Sequence, residues 1–508
     1  MVRRASAFAI LVLCSSLLST DAAGVGSGGG NDGNGGNGGG TTFNVMSYGA
    51  KPGKKQESTQ AFMKAWNAAC KTNGKATVLV PAGVYILGET IFQGPCKSQI
   101  PITVQVEGTL QAVSDASAYS GDGWISFSHI NGLVLTGGGT IDGQGNSLWK
   151  YNDCKTNPDC VHLAASIYMN KVSNGMMSSM HLINSMGFHM HVTNCHMIRL
   201  QGLTISAPGD SPNTDGLHIS KSNIVKVSES VIKTGDDCIS IGQGATNVTV
   251  NKITCGPGHG ISVGSLGKEP QELDVTGLIV QNCTLRGTTN GIRIKTFAAS
   301  DSSRASGFLF QDIIVDSVQN PIIIDQNYGS KSTKPSLVKI SNIVYQNIRG
   351  TTTSPVAVSL KCSSGAPCQN VQLHNIDLQA TGKARPTSVC SSANVGYSGV
   401  QNPPACKPGA ARKELKEKII RFAGRATWGP SGFPLKFTAQ VDSGEEFFRG
   451  FEEQFDSDDG EEMVSNLQTG GAIGVNVKEE TFAKNLSFWI SVSSVLFVLV
   501  LVLLMKLE

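Results

Sequence analysis

The sequence contains few charged and few aromatic residues, which account for 16% and 6% of its 508 positions. Its formal net charge is only +3, without the basic excess typical of nucleic-acid-binding domains, so we expect no nucleic-acid partner. No Cys-X-X-Cys motif occurs, and we therefore expect no zinc site. Long amphipathic segments do not alternate with strand-like segments, which argues against doubly wound and barrel α/β folds.

Glycine, in contrast, is abundant at 59 residues, and short apolar segments separated by Gly, Asn and Asp indicate a protein rich in strands and turns. One spacing recurs in this pattern. Asp215, Asp237 and His259 are each 22 residues apart, and the aliphatic residues that follow them keep the same interval. These residues are Ile219, Ile241 and Val263. A fixed period of this length is typical of a solenoid, in which residues one period apart lie about 4.8 Å above one another.

The sequence therefore predicts an all-β fold, a right-handed parallel β-helix with a short N-terminal capping helix. Apolar residues at helical spacing place this helix within residues 58–70, with Ser58 or Thr59 as its cap. A helix at this position would cover the core and the strand edges that the first coil exposes. The later coils carry insertions, because aliphatic residues in the same register follow Val263 at intervals of 31, 30 and 34 residues. They are Ile294, Ile324 and Val358.

Composition divides the chain into five segments. Residues 1–22 resemble a secretory signal peptide, with a basic start and an apolar core. Residues 23–41 form a Gly-rich linker, and residues 42–408 form the β-helix domain. Residues 409–485 are predicted to be a charged, disordered extension, and residues 486–505 are a candidate transmembrane or anchor segment. We thus expect the β-helix outside the cell, either secreted or held at the membrane. The C-terminal segment would span the membrane, act as a lipid-anchor signal, or be an appendage that the enzyme does not need.

The cysteines and two sequons fit an extracellular setting. Of 13 cysteines, Cys14 lies in the predicted signal peptide, and the remaining 12 are an even number that is compatible with disulfides. Spacing alone does not define their connectivity. The cysteines that are close in sequence are Cys154 and Cys160, Cys238 and Cys255, Cys362 and Cys368, and Cys390 and Cys406. The sequons at Asn247 and Asn282 permit N-glycosylation.

Charged residues converge on one edge of the predicted coils. Their sequences are ordinary turn sequences when taken singly, but packing gains nothing from crowding three carboxylates together. Mutual repulsion raises the pKa of at least one carboxylate, and paired carboxylates of unequal pKa suit glycoside hydrolysis. Arg293 and Lys295 lie two residues apart, so both face one side of their strand and suggest an anionic substrate such as a polyuronic acid. The carboxylates and the histidine of this candidate site are Asp215, Asp236, Asp237 and His259.

Four motifs in this order resemble the signatures of the polygalacturonases, glycoside hydrolase family 28. They are Asn213-Thr214-Asp215, Gly235-Asp236-Asp237, Gly258-His259-Gly260 and Arg293-Ile294-Lys295. The resemblance covers about residues 43–408, and the sequence around the motifs is similar to that of the pollen exopolygalacturonases of plants. It implies a wall enzyme that hydrolyses α-1,4 links of polygalacturonan (pectin) with inversion and without a metal. We also expect a monomer that needs no cofactor. Exo action is expected from this likeness alone.

The resemblance also implies roles for single residues. Asp236 would be the general acid, Asp215 and Asp237 would hold and activate the water, and His259 would support the protonation of the acid. The remaining implied site residues are Arg293 and Lys295, which would bind a substrate carboxylate, Asn213, which would shape the site, and Tyr328, which would contact the substrate. A disulfide between Cys238 and Cys255 is a further implication.

Two alternatives stay open at the level of sequence. Another β-helix pectin enzyme, a lyase or a rhamnogalacturonan hydrolase, could carry a similar scaffold, although a lyase would need calcium and a strong base. A catalytically silent pectin-binding protein, tethered through residues 486–505, belongs to a different class. The intact set of three carboxylates and one histidine argues against it.

Overall fold

A computed structural model describes residues 40–152, 160, 163–329, 332–383, 385–406, 427–428 and 434–436. The predicted signal peptide, nearly all of the linker and the candidate transmembrane or anchor segment at 486–505 lie outside the described residues. Within the described part of the chain, no helix is long and apolar enough to cross a membrane.

The chain folds as a right-handed parallel β-helix, as predicted, and its strands pair in parallel along two long sheets. The sheet that carries the candidate site has eleven strands in the described part of the chain, and each pairs with the strand of the next coil. They are Thr90–Gln93, Gly123–Ser128, Ala165–Asn170, Met190–Thr193, Leu217–Ser220, Ile239–Ile241, Ile261–Leu266, Asn290–Phe297, Asn320–Tyr328, Val356–Lys361 and Thr387–Ser391.

The second sheet has twenty strands among the described residues and forms the remaining wall of the coils. They are Thr41–Asn44, Gly53–Glu57, Ala76–Val80, Val84–Leu87, Ile102–Val106, Thr109–Ala112, Asn131–Thr136, Thr140–Asp142, Ser173–Ser178, His181–Ile183, His196–Gln201, Thr204–Ser206, Asn223–Lys233, Thr246–Cys255, Val275–Gln281, Thr284–Arg286, Arg304–Val318, Lys339–Thr352, Cys368–Ala380 and Ala393–Asn402. Helical segments are the α-helix Thr59–Cys70 and the 3-10 turns Val45–Tyr48, Ala116–Ala118, Gly145–Ser147 and Trp149–Tyr151.

The core is built from aliphatic side chains stacked in register. The predicted 22-residue spacing is confirmed, because Ile219 pairs with Ile241 and Ile241 pairs with Val263. The stack continues through Ile294 and Ile324, and all five side chains are at most 1% exposed. Burial of each such side chain stabilises the fold by about 1.5–3 kcal/mol, so the register of the coils is set by their interior.

One predicted register is wrong by two residues. Ile324 pairs with Leu360 and not with Val358, which instead pairs with Ile322. The connection between Lys339–Thr352 and Val356–Lys361 contains no aliphatic residue that would mark the shift. Counting aliphatic residues alone therefore misplaced this strand, because Val358 and Leu360 are both buried.

The N-terminal helix covers the first coils, as predicted. Its buried face includes Phe62 and Trp66, and the Trp66 ring packs against Phe92 and Phe127 at centroid distances of 5.2 and 6.2 Å. The Trp66 indole nitrogen also donates to the Gln93 carbonyl over 3.0 Å. The capping prediction is only partly correct: residue 58 occupies the N-cap position, but its side chain makes no capping hydrogen bond.

The domain boundaries differ slightly from those predicted. The first strand begins at Thr41, so the folded domain takes in the last residue assigned to the linker. The last strand of the β-helix ends at Asn402, within the predicted limit. Two short strands, Thr427–Trp428 and Pro434–Lys436, pair antiparallel inside the segment predicted to be disordered. The rest of 409–485 lies outside the described residues, and the disorder of this segment stays a prediction.

Disulfides join neighbouring coils and close the ends of the domain. Three of the predicted close pairs are bonded, including the pair that the family resemblance implies: Cys238–Cys255, Cys362–Cys368 and Cys390–Cys406. Cys70–Cys96, which links the end of the helix to a later loop, was not anticipated because its partners are 26 residues apart. Cys195 and Cys283 remain buried free thiols, and the Cys154–Cys160 pair lies partly outside the described residues.

Trp66→Ala should destabilise the domain by about 3–5 kcal/mol, because it removes a fully buried ring and leaves a cavity between the cap and the first coils. The measurement is thermal and chemical unfolding of the purified chain. Asn67→Ala, one residue later on the exposed face of the same helix, serves as the control and should change stability by less than about 0.5 kcal/mol. Equal effects of the two substitutions would contradict the capping role.

Candidate active site

The candidate site lies where three successive connections enter the eleven-stranded sheet. The Gly216 amide donates to the Asp237 carbonyl over 2.9 Å, and the Cys238 amide donates to the Gly260 carbonyl over 2.8 Å. These bonds stack the turns on one another in the register of the strands that follow. The predicted backbone ladder of Asp215, Asp237 and His259 is therefore confirmed.

Close stacking explains two glycines of the motifs. A Cβ atom on Gly235 would lie 2.1 Å from the Ser211 carbonyl oxygen of the preceding turn. Gly258 has φ +146°, and its Cβ would lie 2.7 Å from the Asp236 carbonyl oxygen. Both positions need glycine so that the catalytic turns can approach one another.

Asp237 is neutralised by both predicted cations. Arg293 Nη2 lies 2.7 Å from its Oδ1, and Lys295 Nζ lies 2.9 Å from its Oδ2. The Ser262 hydroxyl donates to Oδ1 over 2.8 Å, and the Asp237 side chain is only 1% exposed. A carboxylate this deeply buried requires such charge-assisted partners. Because two cations face one carboxylate, the triad of Asp237, Arg293 and Lys295 retains a net positive charge.

Asp236 points the other way, towards His259. His259 Nδ1 lies 2.9 Å from Asp236 Oδ1, which also accepts from the Asp237 amide over 2.8 Å. Within the described residues no hydrogen bond reaches Oδ2, and the Asp236 side chain is 22% exposed. Burial alone would raise the pKa of Asp236, but the hydrogen bond from His259, the charge of His259 and the charge of Lys295 together lower it. One oxygen of this carboxyl is thus fixed and the other faces the cleft.

Asp215 has the opposite electrostatic environment. It is 6% exposed, and burial raises its pKa well above the ordinary value, with the charges of Asp236 and Asp237 adding to the shift. The Ser240 hydroxyl donates to Asp215 Oδ2 over 2.6 Å and opposes the shift, as does the charge of Lys295. The predicted effect of crowding is thus present at Asp215, where it adds to the larger effect of burial, whereas the pKa of Asp236 is lowered.

Two buried serines, which sequence reasoning missed, hold the two buried carboxylates. Ser240 contacts Asp215 and in turn lies 2.8 Å from His218 Nδ1, while Ser262 contacts Asp237 and accepts from Arg293 Nε over 3.0 Å. The two relays are one coil apart in register. A serine recurring at the 22-residue period on a buried strand was the available signal, since a polar residue there needs a partner.

Of the four predicted substrate-binding residues, three lie close together and one does not. Arg293, Lys295 and Tyr328 lie together, with the partly exposed Tyr328 ring centroid 5.8 Å from Arg293 Cζ and 5.0 Å from Lys295 Nζ. These are cation–π distances. Asn213 occupies an exposed turn position with φ +52°, and no contact joins its side chain to the carboxylates in the described part of the chain.

Oxygen and nitrogen donors of Asp236, Asp237 and His259 lie within 4.8 Å of one another and could in principle coordinate a metal ion. However, both oxygens of Asp237 already bind Arg293 and Lys295. A divalent cation would have to displace these side chains or bind beside them against their charge. A metal ion at this cluster would therefore compete with Arg293 and Lys295 for the oxygens of Asp237.

Comparison with known proteins agrees with this geometry. The sequence pattern of the Glycosyl hydrolases family 28 matches residues 70–399. An exopolygalacturonase of Platanus acerifolia is 46% identical over 369 residues, which are 72% of this chain and 97% of that protein. An exopolygalacturonase of Oenothera organensis is 44% identical over 362 residues, 70% of this chain and 99% of that protein.

A solved structure shares the fold. The exopolygalacturonase of Thermotoga maritima superimposes with a TM-score of 0.62 over 70% of this chain and 90% of that chain, at 16% sequence identity. The four motifs, the stacked carboxylates and the match over residues 70–399 lead to one conclusion: the chain belongs to glycosyl hydrolases family 28.

Proposed function

We propose that this protein hydrolyses the α-1,4-galacturonosidic bonds of polygalacturonan with inversion and in exo mode. The observation that carries the proposal is the juxtaposition of a cleft-facing Asp236, bonded to His259, with a buried Asp237 that is held by two cations. The near-complete coverage of two plant exopolygalacturonases supports the substrate and the exo mode.

In the proposed mechanism Asp236 protonates the leaving oxygen through its Oδ2, which faces the cleft. A bound sugar covers the exposed part of Asp236 and brings its own negative charge, and both effects raise the pKa of the carboxyl towards the protonated state. His259 holds the opposite oxygen and thereby fixes the direction of the acid. Asp215 and Asp237 orient the attacking water and accept its proton on the other face of the sugar, as inversion requires.

We propose that the excess charge beside Asp237 receives a substrate carboxylate. Arg293 and Lys295 together carry one more positive charge than Asp237 neutralises. The Tyr328 ring lies against both cations and limits the directions from which a sugar can reach them. Asn213, on its exposed turn, would shape the rim of the cleft.

The same proposal extends to location. Residues 1–22 would direct secretion to the cell wall, residues 486–505 would provide any membrane association, and the β-helix would act as a monomer. Asn247 and Asn282 are exposed on the outer surface of the β-helix, where they remain candidates for glycosylation. Their side-chain amides donate to the asparagines one coil earlier, Asn223 and Asn251, and a glycan would replace these bonds.

Incubation of the purified protein with polygalacturonate tests the proposal as a whole. We expect new reducing ends, galacturonate monomer as the early product, and no ultraviolet absorbance from an unsaturated product. An unsaturated product would identify a lyase, and early oligomers would identify endo action. Binding to the polymer without release of any reducing sugar would identify a binding protein instead.

Asp236→Asn should lower kcat by about 10²–10⁴-fold while the fold stays intact, because the amide cannot supply the proton to the leaving group. Initial rates on polygalacturonate and the thermal unfolding midpoint are the measurements. Asp316→Asn, an exposed carboxylate that pairs with Arg286 outside the cleft, is the matched control and should leave kcat unchanged. More than a few per cent of residual activity in Asp236→Asn would refute its role as the acid.

Ser240→Ala should move the acidic limb of the pH profile of kcat/KM to higher pH. The hydroxyl stabilises ionised Asp215, so its removal raises the pKa of Asp215 further, and the carboxylate then stays protonated, and inactive as a base, up to a higher pH. Ser359→Ala, at the same outward position two coils beyond Arg293, is the control and should keep the wild-type profile. A profile that shifts downward or not at all would exclude this role of Ser240.

Lys295→Ala should raise KM for polygalacturonate about tenfold or more and also reduce kcat, because it removes a substrate cation and leaves Asp237 with Arg293 alone. The wild-type KM should rise with added salt more steeply than that of the variant. Lys361→Ala provides a lysine control two coils further along the same outward position. An unchanged KM in Lys295→Ala would rule out the carboxylate-binding role.

A further inference from the structure

Four ring side chains form a second surface beside the carboxylates, which we call the neutral cluster: Tyr168, Phe188, His191 and His218. Three of them occupy one outward-facing column of the eleven-stranded sheet, because Tyr168 pairs with His191 and His191 pairs with His218. The same column continues through the two relay serines to Arg293. The neutral cluster and the cations therefore lie on one face of the sheet, on opposite sides of the carboxylates.

The rings of the neutral cluster contact one another. His218 stacks on Phe188 at a centroid distance of 5.1 Å and an interplanar angle of 25°. His191 meets His218 edge-on at 5.0 Å and Tyr168 at 5.2 Å. All four side chains lie outside the core, on the face that carries the site, and all four are partly exposed. They form a continuous ring surface that a ligand can cover.

Phe188 links this surface to the catalytic ladder. The His189 amide donates to the Asp215 carbonyl over 2.8 Å, and Met190 pairs with Leu217. By this register Phe188 lies one coil before Asp215 in the ladder that contains Asp237 and His259. A sugar on the neutral cluster would consequently be the neighbour of the sugar at the carboxylates.

The four side chains of the neutral cluster carry no positive charge of their own to pair with a carboxylate, although the charge of Lys295 reaches His218 and helps to lower the pKa of that ring. In the described part of the chain, no lysine or arginine makes an ion pair, hydrogen bond or ring contact with its four side chains. Burial lowers the pKa of His191 to about 4 and that of His218 to about 3, so both rings are neutral near neutral pH. The charge of Asp122 acts on Tyr168 and His191 and would repel a carboxylate.

The hydrogen bonds of His218 define which of its ring nitrogens can bind a ligand. While Asp215 is ionised, the only proton of the Ser240 hydroxyl is donated to it, so Ser240 accepts from His218 and His218 Nδ1 carries the ring proton. Its Nε2 is then a bare acceptor. Gly242 lies against this nitrogen, and a Cβ there would be 3.0 Å away, so the absence of a side chain keeps the nitrogen accessible.

We propose that the neutral cluster is a sugar-binding subsite for an uncharged ring, such as a methyl-esterified galacturonate. Tyr168 and Phe188 cover the apolar C–H face of the sugar, and His218 accepts a hydrogen bond from a hydroxyl group. A free carboxylate here would lose its hydration without gaining an ion pair, whereas the ester avoids that cost. This inference rests on the proposed function. It adds that one side of the cleft binds an uncharged sugar and the other side binds a negatively charged one.

The test uses galacturonate trisaccharides, one unesterified and three that carry a single methyl ester at the first, second or third ring. Their binding to Asp236→Asn is measured by calorimetry, and their turnover by the wild-type chain is measured in parallel. We expect one ester isomer to bind at least as tightly as the unesterified trimer. Another isomer, with its ester at Arg293 and Lys295, should bind at least about tenfold more weakly. If all three esters bind more weakly than the free acid, the subsite does not exist.

A charge introduced into the neutral cluster tests its location. His191→Lys should shift the preference between that ester isomer and the free acid about tenfold towards the free acid. His196→Lys, an exposed histidine on the twenty-stranded sheet, is the matched control and should leave the preference unchanged. An unchanged preference in a folded His191→Lys would overturn the assignment.

Tyr168→Ala provides a second variant in case His191→Lys does not fold. It should raise KM for the favoured ester isomer with little change in kcat, and an unaltered KM would again contradict the proposal. The arms also separate this inference from the proposed function. If no trimer were turned over, the proposed hydrolase function would be rejected. The order of the calorimetric affinities of the three ester isomers would still show whether the subsite exists.

Discussion

The parallel pairing of successive coils is the constraint on which the rest of the structure depends. Three carboxylates repel one another, and an isolated chain would separate them. Here each catalytic turn is hydrogen-bonded to the next, and each is followed by a strand whose aliphatic side chains are buried in the core. Burial of several such side chains, at about 1.5–3 kcal/mol each, opposes the repulsion. The core, together with the two cations beside Asp237, thus holds the three carboxylates close to one another.

Given this scaffold, the chemistry of each carboxylate follows from what surrounds it. Asp237 and Asp215 occupy equivalent positions one coil apart, and each accepts from a serine on the following coil. The serine beside Asp237 is held by Arg293, whereas the serine beside Asp215 is held by the neutral ring of His218. One relay ends in a permanent cation and the other does not. Two aspartates with the same backbone geometry therefore lie in different electrostatic environments.

The sequence predicts the site residues that recur at a fixed period and misses those that do not. The ladder of Asp215, Asp237 and His259 is readable because its members share one period. The motif of Arg293 predicts a cation at the site, but its ion pair with Asp237 was not predicted. Ser240 and Ser262 share the period as well, but serine is common on exposed strands, and only burial reveals its role. The neutral cluster escapes detection because Tyr168, His191 and His218 follow at 23 and 27 residues, as loop lengths vary in those coils.

Register and loop length together explain how one column can hold different recognition surfaces. The outward position changes from rings to hydroxyls to a cation between Tyr168 and Arg293, while the inward neighbours remain apolar and fully buried throughout. Inward and outward side chains alternate along each strand, so a substitution in the column need not disturb the core. A polymer that lies along the column meets these surfaces in sequence, one coil at a time. Substrate preference in this fold can therefore be altered coil by coil, whereas the acid–base geometry depends on turns that the core holds in place.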